Sequence, residues 1–275
     1  MEKEVLIWWV SLSVITLLNI LVWLYSVVLV RRQKNCLSIE NYILTRQMLI
    51  LSGVYVFGCA IRAVLPRVDA HRIVLIDHWL SSILVGRTSA TLAELCFIAQ
   101  WALLLYAIGK YRNNYSVTQL SYWIFPIIFM AELFSWASVI STGNFGHVIE
   151  ESLWVVAAIL VLICLVKLYA LTTGIEKKLF VFLMFGTIFY ILFMITVDIP
   201  MYYERWQTDI ALNRTIFSLV DGVRDLTYRW SVMVDWKTWK PEVPWMSLYY
   251  SVAVWMSIAM IYVPVIEDFR RDNKK

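Results

Sequence analysis

The chain has 275 residues, of which 61% are hydrophobic and 16% charged, and its formal net charge is +4. Ordinary soluble domains carry roughly 25% charged residues, and so much apolar side chain exceeds what one water-soluble core of this size can hide. A soluble enzyme, a nucleic-acid reader and a disordered scaffold are therefore excluded, which leaves an all-α, polytopic transmembrane helical bundle.

A spanning helix needs about 20 mostly apolar residues, and stretches of that kind run over roughly 6–30, 43–64, 80–109, 120–141, 152–171, 179–199 and 244–266. These seven spans use up most of the chain, so residues 1–275 read as a single transmembrane domain. The runs are long and uninterrupted, unlike the short alternating strands of a membrane barrel. Met1-Glu2-Lys3-Glu4 leads straight into the first run with no small-residue cleavage site behind it. The run is too long for a signal-peptide core and is expected to stay in the mature protein.

Basic residues follow every second span. Arg31, Arg32 and Lys34 follow the first, Lys110 and Arg112 the third, Lys177 and Lys178 the fifth, and Arg270, Arg271, Lys274 and Lys275 the seventh. The positive-inside rule places these loops in the cytoplasm, with the N-terminus outside and the C-terminus inside. A bacterial inner (cytoplasmic) membrane is the expected location. Because the positive charge is spent on topology, no nucleic-acid partner is expected; the expected partners are the lipid bilayer and other membrane subunits or a second copy of the chain.

The outer connections are more polar. Residues 65–79 hold Pro66, Arg67, Asp69, His71, Arg72, Asp77 and His78, and residues 142–151 end on Glu150 and Glu151. Asn144 with that acidic pair suits the start of the fifth helix, where carboxylates meet the helix dipole. Pro200 is expected to end the sixth span. In the following segment, 200–243, the residues Ile216, Leu219, Val220, Val223, Leu226, Trp230 and Val234 recur at helical spacing. This predicts an amphipathic helix within 205–235 on the outer membrane surface, with Asp225 and Arg229 as an i,i+4 pair on its other side. Trp236, Trp239 and Trp245 read as an interfacial belt.

Ionisable groups at bilayer depth are costly and usually face the bundle interior. Glu94 lies well inside the third span and Glu132 about halfway along the fourth. Arg87, Thr91, Glu94 and Trp101 fall on one helix face, with Arg87 and Glu94 two turns apart, roughly 10 Å along the axis. Arg87, Thr91, Glu94 and Glu132 thus form an expected intramembrane polar stripe. A second expected cluster lies on the outer side, where Arg62, Arg67, Arg72, Asp198 and Arg205 suit an anion or a lipid headgroup, because planar guanidinium forks match such groups.

No cofactor is expected. The three histidines, His71, His78 and His147, are expected outside beside carboxylates such as Glu150; they are the candidates for a metal, but such short patterns arise by chance and no metal is assigned. The four cysteines form no CxxC pair and none lies in an outer loop, so no disulfide framework is expected. The layout resembles microbial retinal proteins in span number and in the third-span Arg and Glu. Those need a Schiff-base lysine in the last span, and 244–266 contains none. No Gly-rich phosphate loop, HExxH or GxSxG is present. The expected function is an outward-facing polar cavity handling protons, ions or a small anionic ligand. The alternatives are a non-catalytic subunit or sensor of a membrane complex, and a lipid-modifying enzyme with an outer Arg/carboxylate site.

Overall fold

A computed structural model describes residues 1–172 and 175–264. Arg270, Arg271, Lys274, Lys275 and the last two residues of the expected seventh span lie outside the described residues. Helix accounts for 83% of the structure. Seven stretches are long and apolar enough to cross a membrane: Lys3–Asn35, Ile39–Val64, Ile83–Tyr111, Tyr115–Ser141, Phe145–Tyr169, Lys177–Ala211 and Val243–Met260. The protein is a multi-pass, all-α membrane protein.

The chain divides into two compact units, one of Met1–Gln100 with the chain from Thr227 onward, the other of Trp101–Leu226. In the first unit, α1 (Lys3–Arg32) has Glu4 in its first turn and Arg31 and Arg32 in its last, matching the helix dipole at both ends. The next helix, α2 (Ile39–Val64), is capped by Ser38, whose side chain accepts from the Asn41 N–H. Helix α3 (Ile83–Tyr111) approaches α2 closely, because a Cβ on Gly58 would sit 2.8 Å from Ala93 Cβ and 2.9 Å from the Ser89 carbonyl. Three two-residue strands close one end of this unit. β1 (Arg67–Val68) pairs antiparallel with β2 (Ile73–Val74), which pairs parallel with β3 (Ser231–Val232). Glu2 N–H donates to the Val234 carbonyl, and Trp9 Nε1 to the Val64 carbonyl, so the start of α1 and the end of α2 meet at that end.

In the second unit, α4 (Tyr115–Ser141) starts at an Asn114 cap that accepts from Val117 N–H, and it pairs with α5 (Phe145–Tyr169) as a helical hairpin. The structure starts α5 several residues before the expected span, and Asn144 does not cap it through its side chain. Asn144 instead donates through Nδ2 to Asp209 Oδ2 at 2.7 Å, and Glu150 sits in the second turn, buried against His147. A helix can carry this carboxylate inward because the imidazole meets it.

Pro200 does not end the sixth span. α6 (Ile175–Phe193) passes through a π-helical turn, Met194–Asp198, into α7 (Ile199–Ala211), with the proline in the first turn of α7. Proline removes one N–H and crowds the carbonyl four residues back, and a π turn takes up that mismatch without breaking the helix. The expected amphipathic helix shortens to α8 (Leu219–Tyr228). Leu226 is fully buried while Leu219 and Val220 are exposed. Ile216 lies before its first residue, and Arg229, Trp230 and Val234 fall outside it because the backbone there joins β3: Ser231 N–H donates to the Arg72 carbonyl and Met233 N–H to the Val74 carbonyl. Two short helices, α9 (Trp236–Trp239) and α10 (Val243–Leu248), lead through a second π turn, Tyr249–Ala253, to α11 (Val254–Met260). Trp239 is no belt residue. It is fully buried, packs on Trp8 with ring centroids 5.7 Å apart and donates to the Met233 carbonyl.

Candidate functional site

Within the first unit, polar side chains form a buried column. Its deep part is Arg87, Glu94 and Tyr249. Arg87 Nη2 and Glu94 Oε2 are 3.9 Å apart, with side chains 9% and 13% exposed, and Tyr249 hydroxyl donates to Glu94 Oε1 at 3.0 Å. Two turns of α3 separate the backbones, so only the extended arginine chain brings the charges together, and 3.9 Å is a loose ion pair. Tyr249 opens the second π turn, a local widening found often at functional sites. Tyr55 packs edge-on to Tyr249 at 6.0 Å between centroids, and Tyr250 beside it is buried.

The part nearest the strands is Arg62, Asp69 and Arg67. Arg62 Nη2 pairs with Asp69 Oδ2 at 3.6 Å and lies within electrostatic reach of Tyr249, Tyr250 and Glu94. Arg67 is 1% exposed. Its Nη1 donates to the Ser82 carbonyl at 2.5 Å and to the Leu80 carbonyl at 3.3 Å. Gly86 leaves the room for it, since a Cβ there would collide with Arg67 Cδ, Nε and Nη1. One edge of the guanidinium is thus clamped by two carbonyls, while Nε and Nη2, which form its other edge, have no hydrogen-bond partner, and the same holds for Arg62 Nε and Ser81 Oγ. Burial pulls Arg67 down from the usual arginine range to about 10, Asp69 opposing the fall and Arg62 adding to it. The group stays charged at neutral pH. A guanidinium held this way has a free bidentate edge of the geometry that carboxylate and phosphate fit.

Arg72 is at the same end, but its Nη1 donates to the Asp69 carbonyl at 2.8 Å, so it shapes the loop. His71 and His78 are exposed on that loop, and His78 Nδ1 accepts from Leu80 N–H. A separate knot deeper in the unit is structural: Gln100 Nε2 donates to the Met48 and Ser257 carbonyls, and the Ser257 hydroxyl bridges Gln100 Oε1 and Ser52 Oγ.

The other expected residues belong to the second unit. Glu132 on α4 and Glu150 on α5 are 2% and 4% exposed, and a carboxylate oxygen of each lies within 4.8 Å of the other. His147, expected in an outer loop, is a buried residue of the first turn of α5, with Nδ1 2.7 Å from Glu150 Oε2. Its ring packs on Tyr202 at 4.8 Å, and Arg205 lies over the Tyr202 ring, 5.3 Å from its centroid. Asp198 is in the π turn before α7. Of the expected outer cluster, then, Arg62, Arg67 and Arg72 gather in the first unit, and Asp198 and Arg205 are residues of the second.

Tyr55, Tyr249 and Tyr250, the clamp on Arg67 and the role of Gly86 were not readable in the sequence. Tyrosines are common in membrane helices, and nothing in a residue string says that one carbonyl pair will hold a distant arginine. The widened turn at Tyr249 likewise has no proline or glycine to announce it. Searches among protein-family models, curated proteins and solved structures find no match to this chain.

Proposed function

We propose that this membrane protein binds a small oxyanion, of phosphate or carboxylate type, in its first unit, with Arg67 as the principal donor and Arg62 beside it. The observation that carries the reading is the clamped, buried guanidinium of Arg67 with Nε and Nη2 unengaged. A buried charge is costly unless paired, and an oxyanion on that edge supplies both the counter-charge and the two missing acceptors. The positive-inside rule applied to the basic loops supports the outer side for this end of the unit, where the ligand would arrive from outside or from the outer leaflet. The loose Arg87–Glu94 pair with Tyr249 continues the polar column inward and suits proton or ion handling coupled to the bound anion.

The test is binding to purified protein in neutral detergent. Inorganic phosphate is titrated calorimetrically in one arm, and native mass spectrometry with phosphatidylglycerol forms the other. Arg67→Met is expected to weaken binding at least tenfold. Arg67→Lys should fall almost as far, since an ammonium cannot reproduce the fork. Retention with phosphate identifies a soluble anion, and retention with the lipid alone identifies a headgroup. Wild-type protein that binds neither, or an Arg67→Met variant that binds as well, overturns the proposal.

A further inference from the structure

We infer that the oxyanion site of the first unit selects a phosphate that still carries a P–OH, with Asp69 as the acceptor for that hydroxyl. The inference rests on the oxyanion reading above and names its ligand class. Asp69 follows Arg67 by two residues, and Val68 between them is extended, so the side chains at 67 and 69 fall on one face of the chain. Arg67 feels the Asp69 charge, and Asp69 Oδ2 pairs with Arg62 Nη2 at 3.6 Å. The other carboxylate oxygen, Asp69 Oδ1, is buried and has no hydrogen-bond partner. An acceptor in that state is out of place in a site that only had to attract negative charge.

The unengaged groups at this end of the unit are of two kinds. Nε and Nη2 of Arg67 and Nε of Arg62 are donors, and Asp69 Oδ1 is an acceptor. Ser81 Oγ, on the residue between the two clamping carbonyls of Leu80 and Ser82, can act as either. Buried polar groups are normally satisfied, so the ligand that completes this set accepts several hydrogen bonds and donates at least one. Sulfate, an ionised carboxylate and a phosphodiester offer acceptors only. Each of them would set a charged oxygen against Asp69 Oδ1, like against like in a poorly solvated site. Inorganic phosphate keeps at least one P–OH near neutral pH, and a phosphomonoester keeps one in its monoanion. Its bare oxygens then take the free guanidinium edge, while its hydroxyl donates to Asp69. A site built around a ligand hydroxyl rejects the analogue that lacks it, because the site's own polar groups are left unpaired.

Full-length protein in neutral detergent, titrated calorimetrically with inorganic phosphate and with sulfate, tests this. Native mass spectrometry with phosphatidic acid, a monoester, and phosphatidylglycerol, a diester, forms the second arm. Phosphate is expected to bind roughly a hundredfold more tightly than sulfate. Should the ligand be a headgroup, phosphatidic acid is retained over phosphatidylglycerol by a similar factor. Asp69→Asn removes the charge and adds an N–H donor, so the ratio of phosphate to sulfate affinity should fall at least tenfold, mainly through tighter sulfate binding. A merely structural aspartate would weaken both anions alike. Should that variant fail to fold, the wild-type ratio decides alone. Sulfate bound as tightly as phosphate, phosphatidylglycerol retained as well as phosphatidic acid, or a ratio unchanged in Asp69→Asn each overturns the selection and leaves the oxyanion reading in place. Wild-type protein that binds none of the four overturns both.

Discussion

The two units bury opposite charge. Among the described residues, every buried arginine, namely Arg62, Arg67 and Arg87, belongs to the first unit, and every buried carboxylate, namely Glu132, Glu150 and Asp225, to the second. In the first unit the counter-charges, Asp69 and Glu94, are less deeply buried and reach their arginines at only 3.6 and 3.9 Å. In the second, the near partner of a buried carboxylate is a histidine at 2.7 Å. A membrane interior penalises uncompensated charge of either sign. The difference teaches that the two units meet the same penalty in opposite ways, one by burying arginines beside less buried carboxylates and the other by burying carboxylates, one of them against a histidine.

The sharpest way to break the comparison is to remove a carboxylate from the unit rich in arginine. Glu94→Gln keeps the acceptor for Tyr249 but removes the ion pair with Arg87, at a cost of up to about 3–5 kcal/mol for a buried pair. A large fall in Tm is expected, and Arg87→Met in the same chain should restore much of it. Normal melting of the single variant would show that Glu94 does not compensate Arg87.

Next in size are the close approaches. Gly146→Ala pushes a methyl group against the Phe134 carbonyl and Ser138 Oγ, which lie 2.6 and 2.5 Å from the new Cβ. Overpacking of this kind costs about 1–3 kcal/mol, so the Tm should fall. In the first unit Gly86→Ala meets a side chain rather than a backbone. The protein should fold with a smaller loss, yet oxyanion binding should drop as in Arg67→Met although the charge is kept. Binding that survives Gly86→Ala would show that the clamp does not matter.

A neutral polar contact sets the scale for these effects. Asn19 Nδ2 donates to the Tyr250 carbonyl at 2.9 Å, and Trp255 Nε1 donates to Asn19 Oδ1 at 2.8 Å. Asn19→Leu leaves the indole N–H and the carbonyl unpaired, for about 1–3 kcal/mol, with no effect on oxyanion binding. The smallest effect belongs to Asp235, which caps α9 by accepting from Thr238 N–H and hydroxyl. These bonds hold its carboxyl below the usual range. Its stabilisation is therefore present above the ordinary carboxylate value and is lost as pH falls through the lowered one. Asp235→Ala should melt a degree or so earlier near neutral pH, and the gap should close in acid, as scanning calorimetry can follow.

Much of this was legible in the residue string for a definite reason. A helix that crosses a bilayer must be apolar along some twenty residues, so the spans announce themselves one by one. Arg87 and Glu94 were identifiable as neighbours because helical periodicity is local. Where a feature depended on what another segment does to the backbone, the pattern misled. Pro200 normally stops a helix, but the π turn at Met194–Asp198 absorbs it. The apolar spacing from Ile216 to Val234 is helical throughout, yet β3 draws 231–232 into a sheet with β2 more than 150 residues earlier in the chain.

The sequence by itself determined that this is a seven-span, all-α membrane protein, because transfer of apolar side chains into lipid is a property of each segment. It also marked Glu94 and Glu132 as carboxylates inside spans, whereas the burial of Arg67, His147 and Glu150 was not legible in it. Only the tertiary structure decided what those charges meet. The clamp of Leu80 and Ser82 on Arg67, the hydroxyl of Tyr249 on Glu94, and the union of His147 with Glu150 opposite Glu132 each depend on distance and direction across elements. Hydrogen bonds and ion pairs act over a few ångströms, and separation along the chain carries no record of that.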